Sequence, residues 1–404
     1  MWEQISDNQV RSTILVIAMG ILLIMVGSLL GQALLGDWSF GLVISLLIWL
    51  IMTLIAYFQG DSILLSLSGA KKIGPDDLPR LYNVVEEMKI ASGLEKMPDV
   101  YIIDDPALNA FATGRDKNKT SVAVTAGLLQ RLNRDELQGV LGHEMAHIKN
   151  RDVMLMAICS VLLGTIVILA WYGSRFLFWG GLGGSRRGSS SGGGYAQIII
   201  LIVAAVLMIL APIMAQLIYL AISRKREYLA DSSSALYTRY PEGLASALEK
   251  IAASTEQMKS VNNATAPMYI INPFRKKGQV AEDLTSTHPP ISERIRILRA
   301  MAGNVSFTAY NFAYNQVHRG GGGIMPGSAL SETAQIPEKE IRVQAISADT
   351  IDDKKERARE TSEVLWGLND YRSVTCNCGT KFKIPPDFFS NTFQCPHCGA
   401  INRI

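Results

Sequence analysis

Charge is scarce in this 404-residue chain: Asp, Glu, Lys and Arg make up 19% of it, and the mean hydropathy is +0.18. That excludes an ordinary soluble chain. Net charge is also scarce, at +3, so bulk electrostatics point to no nucleic-acid partner. Cysteine is rare. Of five, Cys159 stands alone in an apolar run and Cys376, Cys378, Cys395 and Cys398 cluster near the C-terminus. An odd count with tight clustering excludes a disulfide framework and points to metal-binding thiolates in a reducing compartment. There is no internal repeat.

What is present in excess is apolar sequence, in four charge-free stretches: residues 12–36, 38–60, 153–174 and 196–223. A bilayer core needs about 20 mostly apolar residues in helical form, and all four qualify. The first is too long for a cleaved signal peptide, and a second stretch follows at once. Gly36 and Asp37 join the first pair as a tight hairpin; a Gly- and Ser-rich loop over residues 180–194 joins the second pair and reads as flexible and hydrated. Two spans per hairpin return the chain to the side it left. Lys71, Lys72, Lys149, Arg151, Arg224, Lys225 and Arg226 flank the spans on that shared side, against Arg175, Arg186 and Arg187 on the other. The positive-inside rule places the shared side in the cytoplasm. The competing reading of the second pair is a buried hairpin in a soluble core.

Between the spans, residues 78–92 have helical spacing, with Leu78, Leu81, Val84, Val85 and Met88 on one face. Asp99–Ile103 and residues 121–125 read as strands, with 109–113 extended or turning between them. Asp135 and Glu136 suit the first turn of a helix that follows. Residues 230–254 read as helical with a break at Tyr240-Pro241, and 292–302 as a helix after Pro289-Pro290. The glycines 320–323 read as a linker, and 338–370 as a charged helical stretch.

The helix opened by Asp135 carries Gly142-His143-Glu144-Met145-Ala146-His147. Residues four apart share a helix face, so His143 and His147 can aim at one zinc ion. Glu144 then lies beside the metal, where it can take a proton from activated water and return it to a leaving amine. The alternative, two surface histidines, fits poorly with a helix made apolar by Val140, Leu141, Met145, Ala146 and Ile148. A catalytic zinc needs a third protein ligand. Glu227 in Arg226-Glu227-Tyr228-Leu229-Ala230-Asp231 is the candidate, because hairpin parity brings it back beside the motif. Asp231, or less directly Asp152, can orient a ligating imidazole from behind.

Taken together, residues 142–152 and 226–231 resemble the HtpX family of membrane zinc peptidases, related to the CAAX prenyl endopeptidases. Asn109-Ala110-Phe111-Ala112 and Ser286-Thr287-His288-Pro289-Pro290 with Glu293-Arg294 extend the resemblance, which covers residues 1–302. It implies that Glu227 is the third zinc ligand, that Asn109 and His288 hold substrate backbone or stabilise an oxyanion, and that Arg294 is a supporting cation. Residues 111–113 could pair with a substrate strand at a sheet edge.

Cys376-Asn377-Cys378-Gly379 and Cys395-Pro396-His397-Cys398-Gly399 match the ligands of a structural zinc ribbon, with one intervening residue in the first pair where two are commoner. So short a segment has too little core to fold without metal. Phe382, Phe388, Phe389 and Phe393 would form a small core or a docking face for a protein partner.

The expected fold is mainly α: multi-pass membrane helices, an α+β zincin-like metallopeptidase domain and a small C-terminal zinc ribbon. The expected division is a hairpin at 1–60, a peptidase domain at 61–302 with a hairpin inserted at 153–222, a linker and charged helix at 303–372, and a ribbon at 373–404. The expected function is zinc-dependent hydrolysis of protein or peptide substrates at the cytoplasmic face of the membrane, in quality control of membrane proteins. One rival is a processing peptidase with a single lipidated or membrane-bound substrate. Another is a non-catalytic scaffold that recruits a partner through the ribbon.

Overall fold

Gly36 and Asp37 turn the chain between two long helices, α1 (Trp2–Leu35) and α2 (Trp38–Leu67). Gly36 takes a left-handed φ of 76°, and the Asp37 carboxylate accepts from the backbone of Ser39 and Phe40 to cap α2. The helices pack through Gly27 and Gly31, spaced as small residues at close helix crossings are. A Cβ on Gly31 would lie 2.6 Å from Gly41 Cα. In the computed structural model the described residues are 2–116, 118–176, 202, 205–206, 209, 212–213, 224, 226–259, 269–270, 289–301, 304–318, 323–325, 327, 329–330, 339–340 and 349–403.

The boundary expected at residue 60 falls inside a continuous helix. α2 runs two turns beyond the charge-free stretch, so that Leu64 and Leu65 are buried with Ile103, Ala107 and Phe111. Higher up, Leu46, Leu47, Leu50, Ile51 and Leu54 are exposed. Then come β1 (Ala70–Ile73), α3 (Pro79–Ser92), β2 (Asp99–Ile103), β3 (Ala110–Asp116), β4 (Lys119–Thr125), α4 (Ala126–Arg131), α5 (Arg134–Lys149) and α6 (Asp152–Phe176). The sheet order is β1-β2-β4-β3, with β2 and β4 parallel and the other pairs antiparallel. β3 is therefore an edge strand. Neither β1 nor α4 was expected. β1 places Lys71 and Lys72 on the opposite edge, where lysine discourages further strand pairing.

One face of the sheet packs on α3 and α5 through Leu81, Val84, Val85 and Met88 against Val122, Val124, Leu137 and Leu141. α5 starts on a capping box between Asn133 and Glu136. Glu136 also accepts from Ser246 and Lys250, tying α5 to a later helix. Residues 226–238 form helix α7, Arg239 breaks it with φ 54°, and α8 (Pro241–Ala253) follows. Gly139 on α5 lets α8 cross closely, since a Cβ there would lie 2.6 Å from Leu244 N. α9 (Ile291–Arg299) and α10 (Phe307–His318) complete the layer.

Among the described residues two helices, Trp38–Leu67 and Asp152–Tyr172, are long and apolar enough to cross a membrane, and α1 carries a shorter apolar run, Val16–Gln32. The stretch expected at 196–223 lies largely outside the described residues.

The core does not stop at residue 302. Phe307, Tyr310, Ala313, Met325 and Ala329 belong to it, at helical spacing that the neighbouring glycines obscured. β5 (Asn304–Val305) pairs with β6 (Lys339–Glu340). α11 (Ile351–Leu368) docks on the domain: Lys71 Nζ donates to Leu368 O at 2.7 Å and Asn369 Oδ1 at 2.6 Å, and Arg357 reaches Gln130 O on α4. Two hairpins end the chain, β7 (Arg372–Thr375) with β8 (Lys381–Ile384) and β9 (Thr392–Gln394) with β10 (Ile401–Arg403).

Candidate metal centre and peptidase site

His143 and His147, buried on one face of α5, bring their Nε2 atoms to 3.2 Å. Glu227 on α7 completes a triangle, with Oε2 3.4 Å from His143 Nε2 and Oε1 3.5 Å from His147 Nε2. Ligands about 2.05 Å from a tetrahedral zinc stand about 3.3 Å apart, and the two histidine nitrogens and the Glu227 oxygen facing each of them already have that spacing. α7 is pinned to α5 by Ser234 Oγ, which donates to Gly139 O at 2.6 Å.

Each imidazole is held from behind by its own carboxylate. His143 Nδ1 lies 3.0 Å from Asp231 Oδ1, and His147 Nδ1 lies 3.2 Å from Asp152 Oδ2. Both bonds fix the tautomer that leaves Nε2 free to bind metal. Asp152 thus shares the orienting role with Asp231. Arg294, fully buried, donates through Nε and NH2 to Asp231 at 2.8 and 2.6 Å, and its NH1 lies 3.7 Å from Glu227 Oε2. Arg226 lies 3.7 Å from Asp152. Glu144, Glu227, Asp231 and Asp152 share this buried cluster with Arg226 and Arg294. A divalent cation held there would offset negative charge that is costly to bury at low dielectric.

The titration behaviour follows from this crowding. Burial favours neutral His143, but the Asp231 and Glu227 carboxylates outweigh it and push its pKa up to about 9 in the metal-free protein. Burial also opposes charge on Asp231, and Arg294 with His143 more than reverses that, holding the carboxyl low. Burial pushes the Glu144 carboxyl up, with the neighbouring histidines and the Ala112 N–H acting the other way. Glu144 lines a cavity with Ala112, His143, His147, Met156, Glu227 and Ile270. β3 contributes Ala112, and the first turns of α6 contribute Met156.

The other expected residues are placed unevenly. Arg294 sits behind the ligands, against Asp231, and not in the cavity wall. Asn109 is buried just before β3, where its amide donates to Met258 Sδ at 3.8 Å, and is not among the residues lining that cavity. His288 lies outside the described residues. Met156 and Ile270 carried no sequence signal, since apolar side chains beside a site look like any core. Tyr310 was missed as well; it is fully buried and feels both Asp231 and Arg294.

The four C-terminal cysteines come together. Cys376 Sγ is 3.6 Å from Cys398 Sγ and Cys378 Sγ is 3.8 Å from Cys395 Sγ. A zinc tetrahedron with 2.3 Å Zn–S bonds has edges of about 3.8 Å. The short first turn still closes: Gly379 N donates to Cys376 O as Gly399 N does to Cys395 O, both glycines at left-handed φ.

Two histidines and a glutamate from packed helices, a buried carboxylate beside them and a strand edge opposite are the parts of a metalloprotease. Residues 75–302 match peptidase family M48. The protein named protease HtpX homolog of Streptococcus uberis is 40% identical over 301 residues, 74% of this chain and 100% of that one. Its namesake in Dictyoglomus turgidum is 46% identical over 261 residues, 65% and 82% of the two chains. The solved structure of S. mikatae Ste24p is similar with a TM-score of 0.40 at 19% identity, over 74% of this chain and 67% of that one. The chain belongs to peptidase family M48, as an HtpX-like member. The resemblance carried by the motifs therefore holds.

Proposed function

We propose that the chain is an integral-membrane zinc endopeptidase whose site faces the cytoplasm and whose substrates are membrane proteins removed in quality control. The observation that carries the peptidase reading is the His143–His147–Glu227 triangle with Glu144 beside it in one cavity. Zinc held there would supply a Lewis acid that makes water nucleophilic near neutral pH. Glu144 takes the proton of that water on its carboxylate and returns it to the leaving nitrogen. Its raised pKa suits both halves of that exchange. Asp231, with Arg294 behind it, and Asp152 keep the imidazoles in register. Beyond Ala110, whose carbonyl accepts from Ile270 N, β3 offers its edge to the substrate backbone. His288 and Asn109 are assigned to substrate backbone or oxyanion by resemblance to the family. The cytoplasmic assignment rests on Lys71, Lys72, Lys149 and Arg151 beside the spans.

The test is Glu144→Gln in the purified full chain. Cleavage should fall by about 10²–10⁴-fold while bound zinc is unchanged. Cleavage at the parent rate would overturn the mechanism.

A further inference from the structure

β3 runs alongside the end of α2 in the opposite direction. Phe111, near its start, shares a buried cluster with Leu64 and Leu65. Arg115, near its end, lies over Tyr57 and Phe58, with Cζ 5.9 and 5.7 Å from their ring centroids. Phe111 and Arg115 thus both meet α2, although the β3–β4 register shifts between Gly114 and Asp116. The seven residues from Tyr57 to Leu64 span about 10 Å of helix, and the four from Phe111 to Arg115 about 13 Å of strand. The two lengths are comparable and the contacts run in opposite order along the two elements, so the strand descends along the helix towards the bilayer.

The same two rings mark where the bilayer begins. Tyr57 and Phe58 are the last aromatics of the charge-free stretch, and Asp61 follows it. Aromatic rings beside a cation are typical of the headgroup level. Gly60 lies at the same depth as Ala157 on α6, whose Cβ is 3.5 Å from the position a Gly60 Cβ would take. The next residue towards the soluble domain, Met156, lines the metal cavity. Ala112, whose N–H reaches Glu144, is three residues of strand, roughly 10 Å, from Arg115.

We infer that the site cuts chains where they leave the bilayer. The substrate class is the extended segment that follows a membrane-spanning helix, with the scissile bond about three to six residues from the last embedded residue. The inference rests on the peptidase reading. A strand paired along the part of β3 beyond Ala110, whose carbonyl accepts from Ile270 N, with its scissile bond near Ala112, reaches the headgroups after about three residues. A closer bond requires unwinding the substrate's helix inside the bilayer, where its backbone groups have no partners. A more distant one requires the intervening chain to leave the strand edge and lose its hydrogen bonds.

The experiment places the full chain in phosphatidylcholine–phosphatidylglycerol vesicles with a substrate of one membrane-spanning helix. That helix carries an uncharged repeating tail of about thirty residues, long enough to exceed the reach of β3 several times over. Mass spectrometry then maps the cuts. They should fall at about three to six residues from the helix. They should hold that distance when further repeats are inserted next to the helix. Cuts spread evenly along the tail, or fixed relative to its free end, overturn the inference. Glu144→Gln run in parallel separates the two ideas. Glu144-dependent cuts without a distance rule sink only this one; the lack of any Glu144-dependent cut sinks both.

Discussion

Asp231 and Arg294 are locked by two hydrogen bonds of 2.6 and 2.8 Å with neither side chain exposed. The pair is buried because Asp231 has a second task, holding His143 at 3.0 Å. Without Arg294 the interior would hold Asp231 stripped of the guanidinium that now donates two hydrogen bonds to it. Removing one partner of such a pair typically costs about 3–5 kcal/mol, because the other charge is left uncompensated.

Arg294→Met should therefore lower the unfolding midpoint and weaken zinc binding together. Arg294→Lys should not restore either, since an ammonium cannot reproduce the two-pronged bond. Thermal unfolding with and without a chelator checks both. A fully stable Arg294→Met protein with parental zinc affinity would remove Arg294 from the site's support.

The two imidazole-holding carboxylates should behave differently. Asp152→Asn should cost about 10–100-fold in zinc affinity, as is usual for such partners, with a smaller loss of fold than Asp231→Asn, since Arg226 stands 3.7 Å from Asp152. Asp231→Asn should cost as much affinity and also destabilise the domain, because it strands Arg294. Competition with a chromophoric chelator and denaturant unfolding separate the two effects. Equal stability of the two variants would contradict the geometry.

Much of this site could be read from the sequence, and the reason is local. His143 and His147 on one helix, and Glu227 and Asp231 on another, share faces by spacing alone. Asp152 was harder, because Arg151 turns the chain at φ 60° between α5 and α6 and breaks the helical register that spacing arguments need. β3 was half legible: Ala110, Ala112 and Gly114 have little strand preference, and their conformation comes from pairing with β4. β1 is short, with two lysines, and shows no apolar alternation. The core contribution of α10 was hidden by the glycines after it. Tyr310 contacts the site only through tertiary packing, which no periodicity reveals.

Zinc content tests the cysteine cluster apart from the peptidase site. The matched distances predict two zinc ions per chain, one at His143, His147 and Glu227 and one at the four cysteines. Cys395→Ser should remove one ion and unfold residues 372–403, and His143→Ala should remove the other and leave the hairpins intact. Metal analysis with proton spectra of the tail gives the answer. A chain that keeps two ions after Cys395→Ser would exclude the ribbon site.

The docking of α11 should depend on pH. Arg357 donates through its guanidinium to both Asp349 oxygens and to Gln130 O on α4, so the pair staples the start of α11 to the domain. The hydrogen bond from Arg357 is the main reason the Asp349 carboxyl is held below its usual range. A carboxyl with a lowered pKa in the folded state contributes stability that is complete above its unfolded value, about 3.9. That contribution disappears as the pH falls through the folded value. α11 should thus stay docked from neutral pH down to about 4 and loosen below it, while Asp349→Asn should loosen it at every pH. Amide exchange over residues 351–368 is the measurement. In the variant it should rise about tenfold at pH 7, the effect of losing roughly 1.4 kcal/mol from a charge-assisted bond. Protection unchanged by the substitution would show that Val364, Leu365 and Leu368 hold the helix without the ion pair.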